Sequence, residues 1–229
     1  MSLSIDNFIA SKDLNENKNF IYHSYSLNHL NSFQVNLKRF IDLSISITFL
    51  LTIGWWLFTL VAICIALESK GPIIFKQLRH GVNNRPFYCY KFRTMKYKPN
   101  MKFFQAQKND PRITKVGSFL RSSSVDELPQ ILNVLLGEMS VVGPRPHALT
   151  MNREYSEKIG QFMTRHMVKP GITGLAQSKG LRGEIKDIKD INHRLRYDLF
   201  YIKKWSVNLD LKIIFLTFKC LFFNSENAY

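Results

Sequence analysis

The chain has 229 residues, enough for one domain with a buried core, and at 45% hydrophobic and 21% charged it is neither a disordered segment nor a polytopic membrane protein. Thirty-two Lys and Arg against 17 Asp and Glu leave a formal net charge of +15, which points to polyanionic partners: nucleic acid, anionic lipid or phosphorylated substrates. Cys64, Cys89 and Cys220 are far apart and odd in number, without zinc-ligand spacing, which argues against a disulfide scaffold or zinc site and for a reducing compartment.

Residues 1–37 are rich in Asn and Ser and hold two Lys and three acids, so the basic excess falls on the rest of the chain. They read as a weakly ordered leader with room for a short helix. From Leu43 to Leu67 run 25 residues without a charge, enough to cross a bilayer. A cleaved signal peptide fits poorly, because the stretch starts late and is too long. A transmembrane helix, a signal anchor and a re-entrant hairpin remain. Lys38 and Arg39 precede the stretch; Lys70, Lys76 and Arg79 come after it. Positive flanks stay cytoplasmic, which favours a hairpin bent near Gly54 with both ends inside. Ser44, Ser46, Thr48 and Thr52 are placed to bond carbonyls freed by such a bend. No proline lies between Asp42 and Pro72 to enforce it.

Beyond the apolar stretch, GPIIFKQLRHG and RPFYCYKFRTM carry β-branched and aromatic runs separated by Gly-Val-Asn-Asn, the pattern of a hairpin. Residues 96–112 read as a loop and 113–121 as a helix. A second helix runs from Leu128 to Leu136 and stops at Gly137. Gly143-Pro144-Arg145-Pro146 is a rigid turn, 147–167 is helical, and 169–174 is a turn cluster. Residues 186–204 form a charged amphipathic helix, and 207–223 a last, apolar one that lies against the membrane.

The chemistry concentrates between Asp110 and Arg145. Asp126 and Glu127 are adjacent carboxylates just before a helical run. Ser124 and Glu127 also fit a capping box, so helix-start acids are the plain alternative. The same position favours phosphate. A carboxylate there can accept a phosphoryl group or hold Mg²⁺ beside substrate phosphates. Arg121 lies five residues before Asp126, and Arg145 is fixed between two prolines, which suits bidentate phosphate binding. Lys91, Arg93 and Arg112 are candidates of the same kind; surface ion pairs are the alternative for each.

Read together, GPIIFKQLRHG, YKFRTM, DPRITKVGSFLRSSSVDELPQILNVLLGEMSVVGPRP and KPGITGLAQ resemble the bacterial sugar transferases, from about Lys38 to Tyr229. These are monotopic phosphoglycosyl transferases that start glycan assembly (exopolysaccharide, capsule or O-antigen) on a polyprenyl phosphate. The resemblance implies an α/β, mostly helical fold: a re-entrant membrane helix over 38–68 and a small cytoplasmic catalytic domain over 69–229. It implies an enzyme on the cytoplasmic face of the bacterial inner membrane, near anionic lipids. That enzyme moves a sugar-1-phosphate from a UDP-sugar to undecaprenyl phosphate with Mg²⁺. The stretch KPGITGLAQSKGLRGE and the terminal Asn-Ala-Tyr look most like the hexose branch. By position, Asp126 matches the nucleophile and Glu127 its partner acid, with both as metal ligands. Arg121 and Arg145 match phosphate-binding arginines, and Asp198 a further active-site acid. The family's hairpin commonly breaks at a proline, which this sequence lacks. An inactive scaffold that binds polyprenyl phosphate is one alternative; a membrane-tethered nucleic-acid-binding protein is another, though no recognised nucleic-acid motif is visible.

Overall fold

The computed structural model describes residues 32–97, 110–181, 183, 185 and 187–223. Most of the leader, most of the loop before Asp110 and the terminal Asn-Ala-Tyr lie outside the described residues. One helix, α1 (Ser32–Glu68), takes up the whole apolar stretch and is long and apolar enough to cross a membrane. It begins at Ser32, so the end of the expected leader is helical.

A helix–turn–helix reversal is absent from α1. Its hydrogen bonding runs through, with a π-helical stretch at Leu50–Gly54 where the Trp55 N–H donates to the Leu50 carbonyl. Gly54 keeps ordinary helical angles, φ −60° and ψ −43°. A π insertion is a recognised cause of bending, and so is back-bonding by Ser and Thr. Thr52 donates to the Thr48 carbonyl at 2.7 Å, and Ser46 to the Asp42 carbonyl at 2.7 Å. The rings of Phe49 and Phe58 lie 6.1 Å apart. Even with the π stretch between them, nine residues of straight helix rise about 10 Å or more, so two rings this close sit inside a bend. The expected bend is therefore present near the expected place, as a curved continuous helix.

Both limbs of α1 rest on the same domain. On the first limb, Lys38 pairs with Asp210 at 2.7 Å and donates to the Val142 carbonyl at 3.1 Å. Arg39 donates to the Val134 and Leu135 carbonyls, and Asp42 accepts from the Ser140 hydroxyl and the Val141 N–H. On the second limb, Val61 and Ile65 pack against Phe92 and Leu120. Glu68 accepts from the Val116 N–H, and Arg93 donates to the Ser69 and Lys70 carbonyls at 2.6 and 2.5 Å. Between the limbs Leu51, Ile53, Trp55 and Trp56 are exposed.

The domain continues in chain order. β1 (Ile74–His80) and β2 (Pro86–Phe92) form the expected antiparallel hairpin, with Gln77 opposite Cys89 and Phe75 opposite Lys91. Alternation puts Phe87, Cys89 and Lys91 on one face; Phe87 and Cys89 join Val134 and Met139 in a buried cluster. Next come α2 (Lys115–Ser122), capped by Thr114, and α3 (Gln130–Leu136), stopped by Gly137 at φ 82°. β3 (Ser140–Val142) pairs in parallel with β4 (Gly171–Thr173), so the expected turn cluster at 169–174 contains a strand. Between them α4 (Leu149–Lys158) gives way to a 3-10 stretch at Phe162–Met167, so 147–167 is not one helix. After α5 (Leu175–Ser178), the amphipathic α6 (Ile188–Lys204) buries Ile191, Leu195, Leu199 and Ile202 in the main core. α7 (Val207–Phe223) is the last element of the described residues, with Ile213 buried and Phe215 and Phe218 exposed. Among the described residues the fold is thus mostly helical, with two two-stranded sheets.

Candidate active site

Three segments meet at the acid pair: the end of β2, the turn after α2, and the turn at 143–146. After α2, Ser124 takes left-handed backbone, φ 58°, an uncommon and strained choice for a residue other than glycine. That kink turns Val125–Glu127 into a 3-10 segment and leaves Asp126 only 9% exposed. The expected capping box does not form. Ser124 makes no side-chain cap bond, and Pro129 occupies the N-cap of α3. Glu127 is drawn elsewhere by two cations. Lys91 Nζ lies 2.6 Å from Oε1, and Arg145 donates from Nη1 to Oε2 at 2.9 Å and from Nη2 to Oε1 at 2.5 Å.

These contacts separate two chemically similar acids. Burial pushes Asp126 up to about 6, against the pull of Lys91 and with a further push from Glu127. Burial would raise Glu127 too, but Arg145 and then Lys91 outweigh it and hold the carboxyl well below the usual range. Glu127 is a fixed anion; Asp126 is a buried carboxylate that titrates close to neutrality. Among the described residues no hydrogen bond engages the Asp126 carboxylate. Such a division of two neighbouring acids is how acid and base roles are set apart in enzyme sites.

The remaining sequence candidates fall in different places. Arg121, in the last turn of α2, is near enough to lower the Asp126 carboxyl and makes no ion pair among the described residues. Arg93 lies on the Ser69 and Lys70 carbonyls at the end of α1, and Arg112 pairs with Asp110 at 2.5 Å. Nothing brings either to the acid pair. Asp198 is buried against Arg165 at 2.7 Å, with Arg165 and Arg145 between it and Glu127, and burial raises it to about 6.

Two further arginines, neither of them a phosphate-binding candidate in the sequence, support the turn that carries Arg145. Arg165 Nη2 donates to the Arg145 carbonyl at 2.7 Å, and Arg79 donates to the carbonyl of Pro146. Arg79 could have been found by its place in the β1 alternation, on the face shared with Lys91. His147 accepts from Arg165 at Nδ1, 2.7 Å away, and burial among guanidiniums keeps it neutral, well below its ordinary range. Lys91, Arg121, Arg145 and Arg79 all act electrostatically on the acid pair, so the surroundings favour an added anion.

The expected Mg²⁺ would rest on few protein ligands. Among the described residues no group of three or more His, Cys, Asp or Glu could hold a metal ion. Mg²⁺ commonly takes one or two carboxylates and completes its shell with water and substrate phosphates. Asp126 and Glu127 fit that mode, with Glu127 already shared between two cations.

Residues 33–224 match the family described as "Bacterial sugar transferase". The chain is 50% identical over 201 residues to the UDP-glucose:undecaprenyl-phosphate glucose-1-phosphate transferase of Klebsiella pneumoniae, across 87% of this chain and 43% of that one. Identity is 45% over 186 residues to the exopolysaccharide production protein PSS of Rhizobium leguminosarum bv. phaseoli, across 79% and 92% respectively. It is 42% over 161 residues to the UDP-N-acetylgalactosamine-undecaprenyl-phosphate N-acetylgalactosaminephosphotransferase of Aeromonas hydrophila, across 70% and 38%. The chain spans less than half the length of the Klebsiella and Aeromonas relatives.

Proposed function

We propose, from the premise that the chain belongs to the bacterial sugar transferase family, that it transfers a sugar-1-phosphate from a UDP-sugar to undecaprenyl phosphate and releases UMP. Glucose-1-phosphate is the first choice of cargo, since the Klebsiella relative is named for it; the Aeromonas relative, named for N-acetylgalactosamine, keeps the N-acetylated donors on the panel. The product would start a glycan such as an exopolysaccharide. The observation that carries the reading is the divided acid pair: Asp126 buried and otherwise unengaged, Glu127 locked as an anion by Lys91 and Arg145.

The residues support two successive displacements at one phosphorus. An Asp126 carboxylate oxygen bonds to the β-phosphorus while the bond from that phosphorus to the bridging oxygen breaks. UMP leaves with the bridging oxygen and its electron pair. A phosphate oxygen of the lipid then attacks the same phosphorus, the bond to Asp126 breaks, and the carboxylate is regenerated. Arg121, without an ion pair among the described residues, offers its guanidinium to phosphate oxygens. Arg145 offers the planar fork that suits them once it shares or exchanges its hold on Glu127. Asp126 and Glu127 are the oxygens that would hold Mg²⁺, whose chemistry is to neutralise phosphate charge.

The substrates set the topology. A nucleotide donor is cytoplasmic, so the domain faces the cytoplasm, and the bent α1 enters and leaves the inner membrane on that side. Its two limbs, both anchored to the same domain, support this. The exposed Phe215 and Phe218 of α7 provide an apolar face for the membrane surface. The test is UMP release over a panel of UDP-sugars, with undecaprenyl phosphate and Mg²⁺, by the full chain in lipid nanodiscs. Repeated turnover that requires both donor and lipid, with at most one UMP per chain released in the absence of lipid, supports the reading; lipid binding without UMP release from any donor leaves an inactive scaffold in its place.

A further inference from the structure

We infer that Arg165 and Arg79 are positioning residues that act through Arg145, with Asp198 acting through Arg165. The inference rests on the proposed function in one respect: the ligand presented to Arg145 is the diphosphate of the nucleotide donor. Pro144 and Pro146 remove much of the backbone freedom on either side of Arg145. A residue before proline is itself kept extended, so the peptide carbonyls of the turn decide where the Arg145 side chain points. Two of those carbonyls, in succession, end on guanidiniums. Arg165 Nη2 holds the carbonyl of Arg145 at 2.7 Å, and Arg79 Nη1 holds that of Pro146.

Each guanidinium is in turn fixed. Arg165 is 3% exposed and pairs with Asp198 at 2.7 Å. Its Nη1 donates to His147 Nδ1 at 2.7 Å, and it stands 5.3 Å from the Phe162 ring centre. Arg79 donates from Nη2 to Gln77 Oε1 at 2.8 Å. Its hydrogen-bond partners are neutral oxygens, so no carboxylate in contact cancels its charge. Asp198 is carried on α6 by a run of core residues, Leu195, Leu199 and Ile202. The main core thereby reaches the acid pair through Asp198, Arg165, the backbone carbonyl of Arg145 and the Arg145 side chain on Glu127. The Asp198 carboxylate serves this chain and not the phosphoryl transfer itself.

The test is a double-mutant cycle on pyrophosphate binding, measured by calorimetry on the full chain in nanodiscs, with UMP release measured alongside. Arg165→Lys keeps the charge but cannot make three planar contacts at once. Alone it should weaken pyrophosphate binding about tenfold; in an Arg145→Lys background the same change should cost less than about twofold, because the fork it positions is gone. Asp198→Asn should behave like Arg165→Lys in both backgrounds. Equal losses in both backgrounds, or no loss in either, overturn the inference, and so does a wild-type chain that binds no pyrophosphate. A non-additive cycle in a protein that releases no UMP from any donor leaves the inference standing and sinks the transferase reading. Should Arg165→Lys not accumulate as folded protein, Arg79→Gln takes its place in the cycle with the same expected and overturning results.

Discussion

Arg145 grips Glu127 with both terminal nitrogens, Nη1 on Oε2 at 2.9 Å and Nη2 on Oε1 at 2.5 Å. Bidentate pairs of this kind are strong and directional. The grip fixes the charge of one member of the acid pair and leaves desolvation to act on the other. Two adjacent carboxylates, separated by one peptide bond, thereby become a permanent anion and a titrating group.

Replacing the titrating member tests the covalent route. Asp126→Asn keeps shape and removes the nucleophile, and UMP release should fall by about 10³-fold or more with the fold retained. Glu127→Gln should be severely impaired and still retain sugar phosphate on Asp126, visible as a mass increase on the intact chain. Near-normal UMP release by Asp126→Asn would remove the phosphoryl-aspartate.

The pH dependence is set by the Asp126 shift. Its carboxyl is raised to about 6, and the reactive form is the ionised one. Turnover at low donor concentration should therefore rise with pH, with a midpoint near 6, and fall away below it. Lys91 is the neighbour that most lowers the Asp126 carboxyl. Lys91→Met should move the midpoint to higher pH. A midpoint that stays put, or moves down, would assign the limb to another group.

Arg121 and Arg112 should behave differently although both are basic residues of the same stretch. Arg121 acts on Asp126 and makes no ion pair among the described residues, so Arg121→Ala should raise the donor KM about tenfold or more with little change in Tm. Arg112 is turned onto Asp110, and Arg112→Ala should leave KM and kcat within about twofold. Equal losses for the two would show that Arg112 also reaches substrate.

Arg93 should prove to be a stability residue. It is 5% exposed and holds two carbonyls at the end of α1. Removing a charged donor from two part-buried acceptors costs about 1–3 kcal/mol. Arg93→Ala should lower Tm by several degrees, while the protein that remains folded keeps a normal donor KM. An unchanged Tm would reject this assignment.

The course of α1 through the membrane is open to labelling. Single cysteines replacing Asn36 and Ser69, in a background without Cys64, Cys89 and Cys220, should both react from the cytoplasmic side of intact cells and vesicles. Labelling of the residue-36 site only from outside, with the residue-69 site only from inside, would make α1 a simple span.

Local chemistry decided most of the elements. The Leu43–Leu67 run required a long apolar helix, the Gly-Val-Asn-Asn break required a hairpin, and Gly137 ended α3 because only a residue at ease with positive φ closes that turn. Asp126, Glu127, Arg121 and Arg145 stood out because their types and spacing suit phosphate chemistry. Partners distant in sequence could not be read in this way. Ser124 and Glu127 satisfied the letter of a capping box, yet Lys91, 36 residues away, and Arg145, 18 away, claimed the Glu127 carboxylate instead. A buried anion is stabilised more by two cations than by one backbone N–H, and only the fold brings those cations in. The same cause separated Arg145 from Arg93 and Arg112. All three were phosphate-binding candidates, but Arg145 met a carboxylate 18 residues away, Arg93 met carbonyls 23 and 24 residues away, and Arg112 turned onto its neighbour Asp110. In α1 the sequence determined the length and the back-bonding hydroxyls, while the bend became visible in the contact of Phe49 with Phe58 and in the anchoring of both limbs, because curvature is fixed by what a helix packs against.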